Sequence, residues 1–129
     1  MKLAEIPPFA IDPYVQGDTW RGLLLRDFQF PEEEDWGTLT GVSLQFRTKG
    51  SKTGSKLWLE LSTSEDEGSI TIVDADTWET RIGPVHYDTM SELDAGEYEF
   101  DVKFVNSLDQ RFTLVRGFLT VLRTVNIPA

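Results

Sequence analysis

The chemistry this chain could perform turns on a few residues. His86 is the sole histidine and lies in the stretch GPVHYDTM, with Asp88 two residues on. Imidazole beside carboxylate is the pairing of general-base catalysis, which also needs a nucleophile within hydrogen-bond reach. The chain has no cysteine to supply a thiolate, and no serine sits in a strand-to-helix elbow. His86 therefore reads as a surface or hydrogen-bonded histidine, and the chain as no enzyme. The run GSKTGSK, residues 50–56, resembles a phosphate loop. It has three residues between its glycines, and a strand-like run follows where a helix would have to aim amides at an anion. It reads as a hairpin tip. Asp74, Asp76 and Glu79 set oxygen ligands at near-alternating positions, the raw material of a calcium site. The twelve-residue loop with central glycine and terminal glutamate is absent, and a turn accounts for the same residues. No metal and no cofactor is expected.

Two features speak of contact instead of catalysis. Arg47, Lys49, Lys52 and Lys56 place a third of the positive charge within ten residues, on a chain of 12 basic and 22 acidic residues and net charge -10. A solvated loop explains them. So does electrostatic steering toward an acidic patch on another copy or partner. Trp58 shares a strand parity with Lys56 and Glu60, the side expected to meet solvent. An exposed Trp calls for a cover, either an N-terminal arm or another subunit, and the same ring could stack on a sugar. The net charge repels phosphate backbones and anionic lipid, so nucleic acid and membrane are not expected partners. No apolar run approaches the roughly 18 residues of a membrane span. MKLAEIPPFA lacks the apolar core of a signal peptide, so synthesis in the cytoplasm is expected.

The elements that must position these residues follow from period and punctuation. At 129 residues the chain is one domain by length, with no cysteine to staple it. Pro7, Pro8 and Pro13 keep residues 1–14 out of a sheet interior and make an extended arm bearing Phe9 and Tyr14. That arm either straps its own domain or docks on a neighbouring subunit. Residues 15–129 form the domain proper. After Gly17-Asp18, Trp20, Gly22 and Leu24 alternate with Arg21, Leu23 and Leu25, and both faces are apolar from position 23 on, so this strand is expected to be buried on both faces or bulged there. Val42, Leu44 and Phe46 alternate with polar residues, and Leu57, Leu59 and Leu61 do the same beyond the Gly/Ser loop, which predicts a hairpin. Short strands follow around Ile70–Ile72 and Trp78–Ile82. Met90 and Leu93 hint at one helical turn, with Thr89 and Ser91 as caps and Gly96 as its end. Tyr98, Phe100, Val102 and Phe104 make the cleanest alternation. The last run changes parity: Phe112, Leu114 and Phe118 share one phase, Val115, Leu119 and Val121 the other, so it is one long strand or two pieces broken near Gly117. About seven short strands with no long helix predict an all-β antiparallel sandwich of the immunoglobulin-like kind.

The order of these signatures resembles a group of small tailed-bacteriophage virion proteins, immunoglobulin-like β-sandwiches of accessory type that include the N-terminal domain of baseplate upper proteins. The shared marks are Gly17-Asp18 before the first strand, Leu39-Thr40-Gly41 before the second, Gly68 and Ile70 before the fourth, Leu93 with Ala95-Gly96-Glu97-Tyr98 before the sixth, and Arg116-Gly117 in the last. They run over about residues 15–125. The proline-rich arm and the FPEEEDW insert depart from the pattern. The resemblance implies a non-enzymatic structural component of a particle's tail, baseplate, neck or capsid. It would be found in the virion, and in the host cytoplasm before assembly. Its partners would be other virion proteins and copies of itself, as a homo-oligomer. Phe9, Tyr14, Lys49, Lys52 and Trp58 are the residues expected at those contacts. The alternative is a carbohydrate-binding or host-adhesion module built around Trp58.

Overall fold

The structure is a computed structural model that describes residues 9–30, 35–48, 57–63 and 69–124. Within them the regular structure is almost all strand: β1 (Phe9–Ala10), β2 (Tyr14–Val15), β3 (Leu23–Leu25), β4 (Leu39–Thr48), β5 (Leu57–Ser62), β6 (Ile70–Asp74), β7 (Glu79–Ile82), one turn of helix α1 (Tyr87–Met90), then β8 (Gly96–Asn106) and β9 (Arg111–Leu122). A large sheet runs β1-β9-β8-β4-β5, with β2 also on β9, and a small sheet runs β3-β7-β6. Immunoglobulin-like domains place strands B, E and D in one sheet and C, F and G in the other. In chain order β3, β7 and β6 take the first set and β4, β8 and β9 the second, with β5 extending the large sheet. The predicted all-β sandwich is what forms.

Between the sheets lie Trp20, Leu44, Phe46, Leu59, Phe100, Val102 and Phe104, all buried as the alternation predicts, with Ile72 partly buried at the rim. Tyr98 also points inward, and its hydroxyl donates to Asp94 O at 2.7 Å. This is a tyrosine corner, the tie at the start of strand F that fixes the preceding loop. Two residues beyond it antibody domains carry a disulfide cysteine; here the position is Phe100. Its ring lies 5.7 Å from Phe46, and Phe46 lies 5.6 Å from Trp20, edge-on. Trp20 bridges to Val85, in the layer of the small sheet. An aromatic chain thus crosses between the layers where a covalent bond otherwise would. Such ring pairs contribute roughly 0.5–1.5 kcal/mol each beyond their burial.

Among the places where the simple alternation is broken, three decide which side chains face the core: Gly22, with its positive φ, and the extra residues in β9 and β5. Gly22, at φ +80, sits so close to Ile82 that a Cβ would fall 1.7 Å from the Ile82 carbonyl oxygen. The chain breaks phase there, so Trp20 and Leu25 are buried while Leu24 is exposed, and the strand is not buried on both faces. In β9 the register slips between Val102 and Lys103, which pair with Val115 and Thr113 and leave Leu114 between. Leu114 and Val115 are both buried, so the parity change resolves into one bulged strand with no break at Gly117. In β5, Phe46 pairs with Leu59 and Arg47 with Leu57, leaving Trp58 as the extra residue. Leu57 therefore turns outward and Trp58 inward, the reverse of the expected faces.

The loop end beside β4 is pinned by one buried amide. Asn106 Nδ2 donates to Trp36 O at 2.8 Å and to Gln110 Oε1 at 2.9 Å, and its Oδ1 accepts from Leu108 N and Gln110 N. Trp78, at φ +65, donates from Nε1 to Gly37 O at 3.2 Å. Its ring meets Phe30, Phe104 and Phe112.

Candidate interaction surface

The residues singled out for contact divide sharply. β1 runs parallel to β9 with Phe9 opposite Gly117, and β2 follows with Tyr14 opposite Val121. Residues 9–14 of the expected arm thus strap their own domain. Tyr14 is buried, and its hydroxyl donates to Asp18 O at 2.6 Å. Burial, reinforced by the Asp18 carboxylate, raises its phenol above the ordinary value of 10.0. It is a core residue of its own domain. Burial and then the Asp94 carboxylate raise Tyr98 likewise. Lys49 and Lys52, with residues 1–8, lie outside the described residues. Trp58 is half-buried: the bulge sets its ring edge-on to Tyr98 at 5.7 Å, and its Nε1 donates to Thr48 Oγ1 at 3.0 Å. Among the described residues, its own sheet supplies these contacts.

His86 is exposed and caps α1. Its Nδ1 accepts from Asp88 N at 3.2 Å and lies 3.8 Å from Asp88 Oδ2. A catalytic imidazole instead donates its Nδ1–H to the orienting carboxylate. The caps expected at Thr89 and Ser91 are thus preceded by His86, and Ser91 closes the turn. Gly96 opens β8 instead of ending the helix. The depression beside α1, lined by Tyr14, Gln16, Tyr87, Met90, Leu93 and Arg123, has an apolar floor and no converging acid and base. Asp74 Oδ1 accepts from Asp76 N at 2.9 Å and from Thr77 N at 3.4 Å, so it folds a turn. Among the described residues no group of three His, Cys, Asp or Glu side chains could hold a metal ion. Among them, too, no helix is long and apolar enough to cross a membrane.

What the strands do assemble is a patterned outer face on the large sheet. Directly paired residues share a face, so the registers define rows across β5, β4, β8 and β9. One row is Glu60, Gln45, Asp101, Arg116; the next is Leu57, Arg47, Glu99, Phe118. A third is Ser62, Ser43, Lys103, Thr113. Gln45 joins its neighbours, donating to Glu60 and accepting from Arg47 Nη2 at 3.3 Å. A half-open depression of about 330 Å³ lies over Gln45, Arg47, Glu99, Asp101, Arg116 and Phe118. Leu57 and Phe118 are 38% and 40% exposed, large apolar groups placed among charges. Across these rows Arg47, Lys103 and Arg116 balance Glu60, Glu99 and Asp101, in a chain of net charge -10. Alternation points Glu60, Glu99 and Asp101 outward, but Leu57 joins them only through the bulge, which the sequence does not announce.

No family model matches this chain, and no curated protein does. Among solved structures it is similar to extracellular domains 3–5 of Drosophila OTK, at 14% identity and a TM-score of 0.34, over 97% of this chain and 39% of that one. The chain spans well under half of that structure's length, and nothing is carried over from it.

Proposed function

We propose that this protein is a non-enzymatic structural domain of a tailed-bacteriophage particle, acting by contact with other virion proteins and with copies of itself. One observation carries the reading: the outer face of the large sheet holds a charge-balanced, partly apolar array on an otherwise acidic chain. Such a face suits protein partners, since apolar groups ringed by paired charges are what docking desolvates. The particle context rests on the order of the turn and strand signatures. On this reading the protein is made in the host cytoplasm and works in the virion.

Native mass spectrometry of the chain, alone and co-expressed with the genes beside its own, tests the proposal. Oligomers or co-assembly with particle proteins are expected. A clean monomer that binds a glycan array would favour host adhesion instead. His86→Ala should abolish no turnover, and loss of a measurable one would return the imidazole to catalysis.

A further inference from the structure

We infer that the outer face of the large sheet pairs with the same face of a second copy of this chain, about a two-fold axis parallel to the strands and lying between β4 and β8. The inference rests on the proposed assembly role and names its partner. A two-fold contact must be self-complementary, each residue meeting its counterpart across the axis. Rotation about this axis exchanges β4 with β8 and β5 with β9 while keeping every row level. Glu60 then meets Arg116 of the second copy, Arg47 meets Glu99, and Leu57 meets Phe118, each twice. Gln45 faces Asp101, and Ser43 faces Lys103. Acid thus meets base at Glu60–Arg116 and Arg47–Glu99, apolar meets apolar at Leu57–Phe118, and no row sets like charges together.

Other placements of the axis fail on the same residues. An axis along β8 stacks Glu99 and Asp101 on their own copies. An axis across the strands, between the two charged rows, sets Asp101 against Glu99. Like charges in contact cost several kcal/mol at an interface. Elsewhere the chain carries its net charge of -10, so two copies repel by any less balanced surface.

The size of the patch sets the strength. Four strands about 4.8 Å apart and seven residues rising about 3.3 Å each give a face of about 20 Å by 23 Å, roughly 450 Å² per copy. That falls below the roughly 800 Å² per partner of a stable complex. The isolated chain is thus a weak dimer, and many-copy display multiplies the contact.

Sedimentation velocity over a concentration series to about 1 mM at low salt reads this directly, with circular dichroism confirming that each surface variant stays folded. The wild-type mass average should climb toward dimer. Arg116→Glu and Glu60→Arg should each weaken self-association about tenfold or more, and an equimolar mixture of the two should associate again. Because the chain has no cysteine, Leu57→Cys mixed with Phe118→Cys should cross-link under mild oxidation while neither does so alone. A wild-type chain that stays monomeric, an Arg116→Glu variant that associates as the wild type does, or a variant mixture that stays monomeric overturns the pairing. A monomer that still co-assembles with particle proteins overturns the self-pairing alone and leaves the assembly role standing.

Discussion

Replacing Asn106 by Ala should cost about 3 kcal/mol, although the residue lies at a strand end. Its side chain is 2% exposed and makes four hydrogen bonds. Truncation removes the buried bond from Asn106 to the Trp36 carbonyl, a loss of about 1–3 kcal/mol. The bonds from Leu108 N and Gln110 N lie near the surface, where water replaces them in part, so each loss counts about 0.5 kcal/mol. For a chain of this size the sum lowers the melting temperature by about 12 °C. Asn106→Asp separates the two halves of the network. It keeps the acceptor for the turn amides but sets an oxygen against the Trp36 carbonyl. Its carboxyl is then pushed above the usual range, so the loss is full at neutral pH and shrinks as pH falls through the folded-state value. Urea unfolding followed by Trp fluorescence, at pH 7 and pH 4, measures both. A change below about 1 kcal/mol for Asn106→Ala, or a pH-independent Asn106→Asp, would refute the pinning role.

Phe100→Asp places an unpaired carboxylate in the aromatic chain between the layers and should unfold the domain; a native circular dichroism spectrum would contradict the core assignment. Gly22→Ala meets both a positive φ and the Ile82 carbonyl, so a loss above about 3 kcal/mol is expected, read from the denaturant midpoint. Tyr14 and Tyr98 hold their protons more tightly when folded, so the stability they add is full below about pH 10 and is lost as pH rises through the folded values. Melting temperatures should be level from pH 7 to 9 and fall above about pH 10, and Tyr98→Phe should blunt that fall. Removing residues 1–14 takes away a buried tyrosine and both strands on β9, so it should lower the melting temperature, whereas removal of residues 1–8 spares them.

Period-two alternation sufficed wherever strands pair without interruption. Val42 to Phe46 and Tyr98 to Phe104 face inward as their spacing demands, and the sandwich follows from them. It failed at Gly22, where a positive φ turns the chain, and where one residue is inserted into a ladder. Gly22, Trp58 and Leu114 each shift the phase, and a bulge is set by the pairing partner, which lies far off in sequence. The doubled parity around Leu114 did carry a trace of its bulge. Tyr98 was legible as an inward aromatic, but its corner was not, because the hydroxyl's return to Asp94 needed the fold. The Asn106 hub was not legible, since three of its four partners are backbone atoms and one of them, the Trp36 carbonyl, lies far off in sequence. The interaction surface was half legible, because single strands show which charges face out but only the registers set them side by side.

β1 and β2 lie parallel to β9, with Phe9 opposite Gly117 and Val15 opposite Leu122, and Gln16 N donates to Leu122 O at 2.9 Å. Tension drawn through the chain on either side of these strands pulls them past one another lengthwise. The bonds along the seam are then strained together, in shear, and cannot open in succession like a zip.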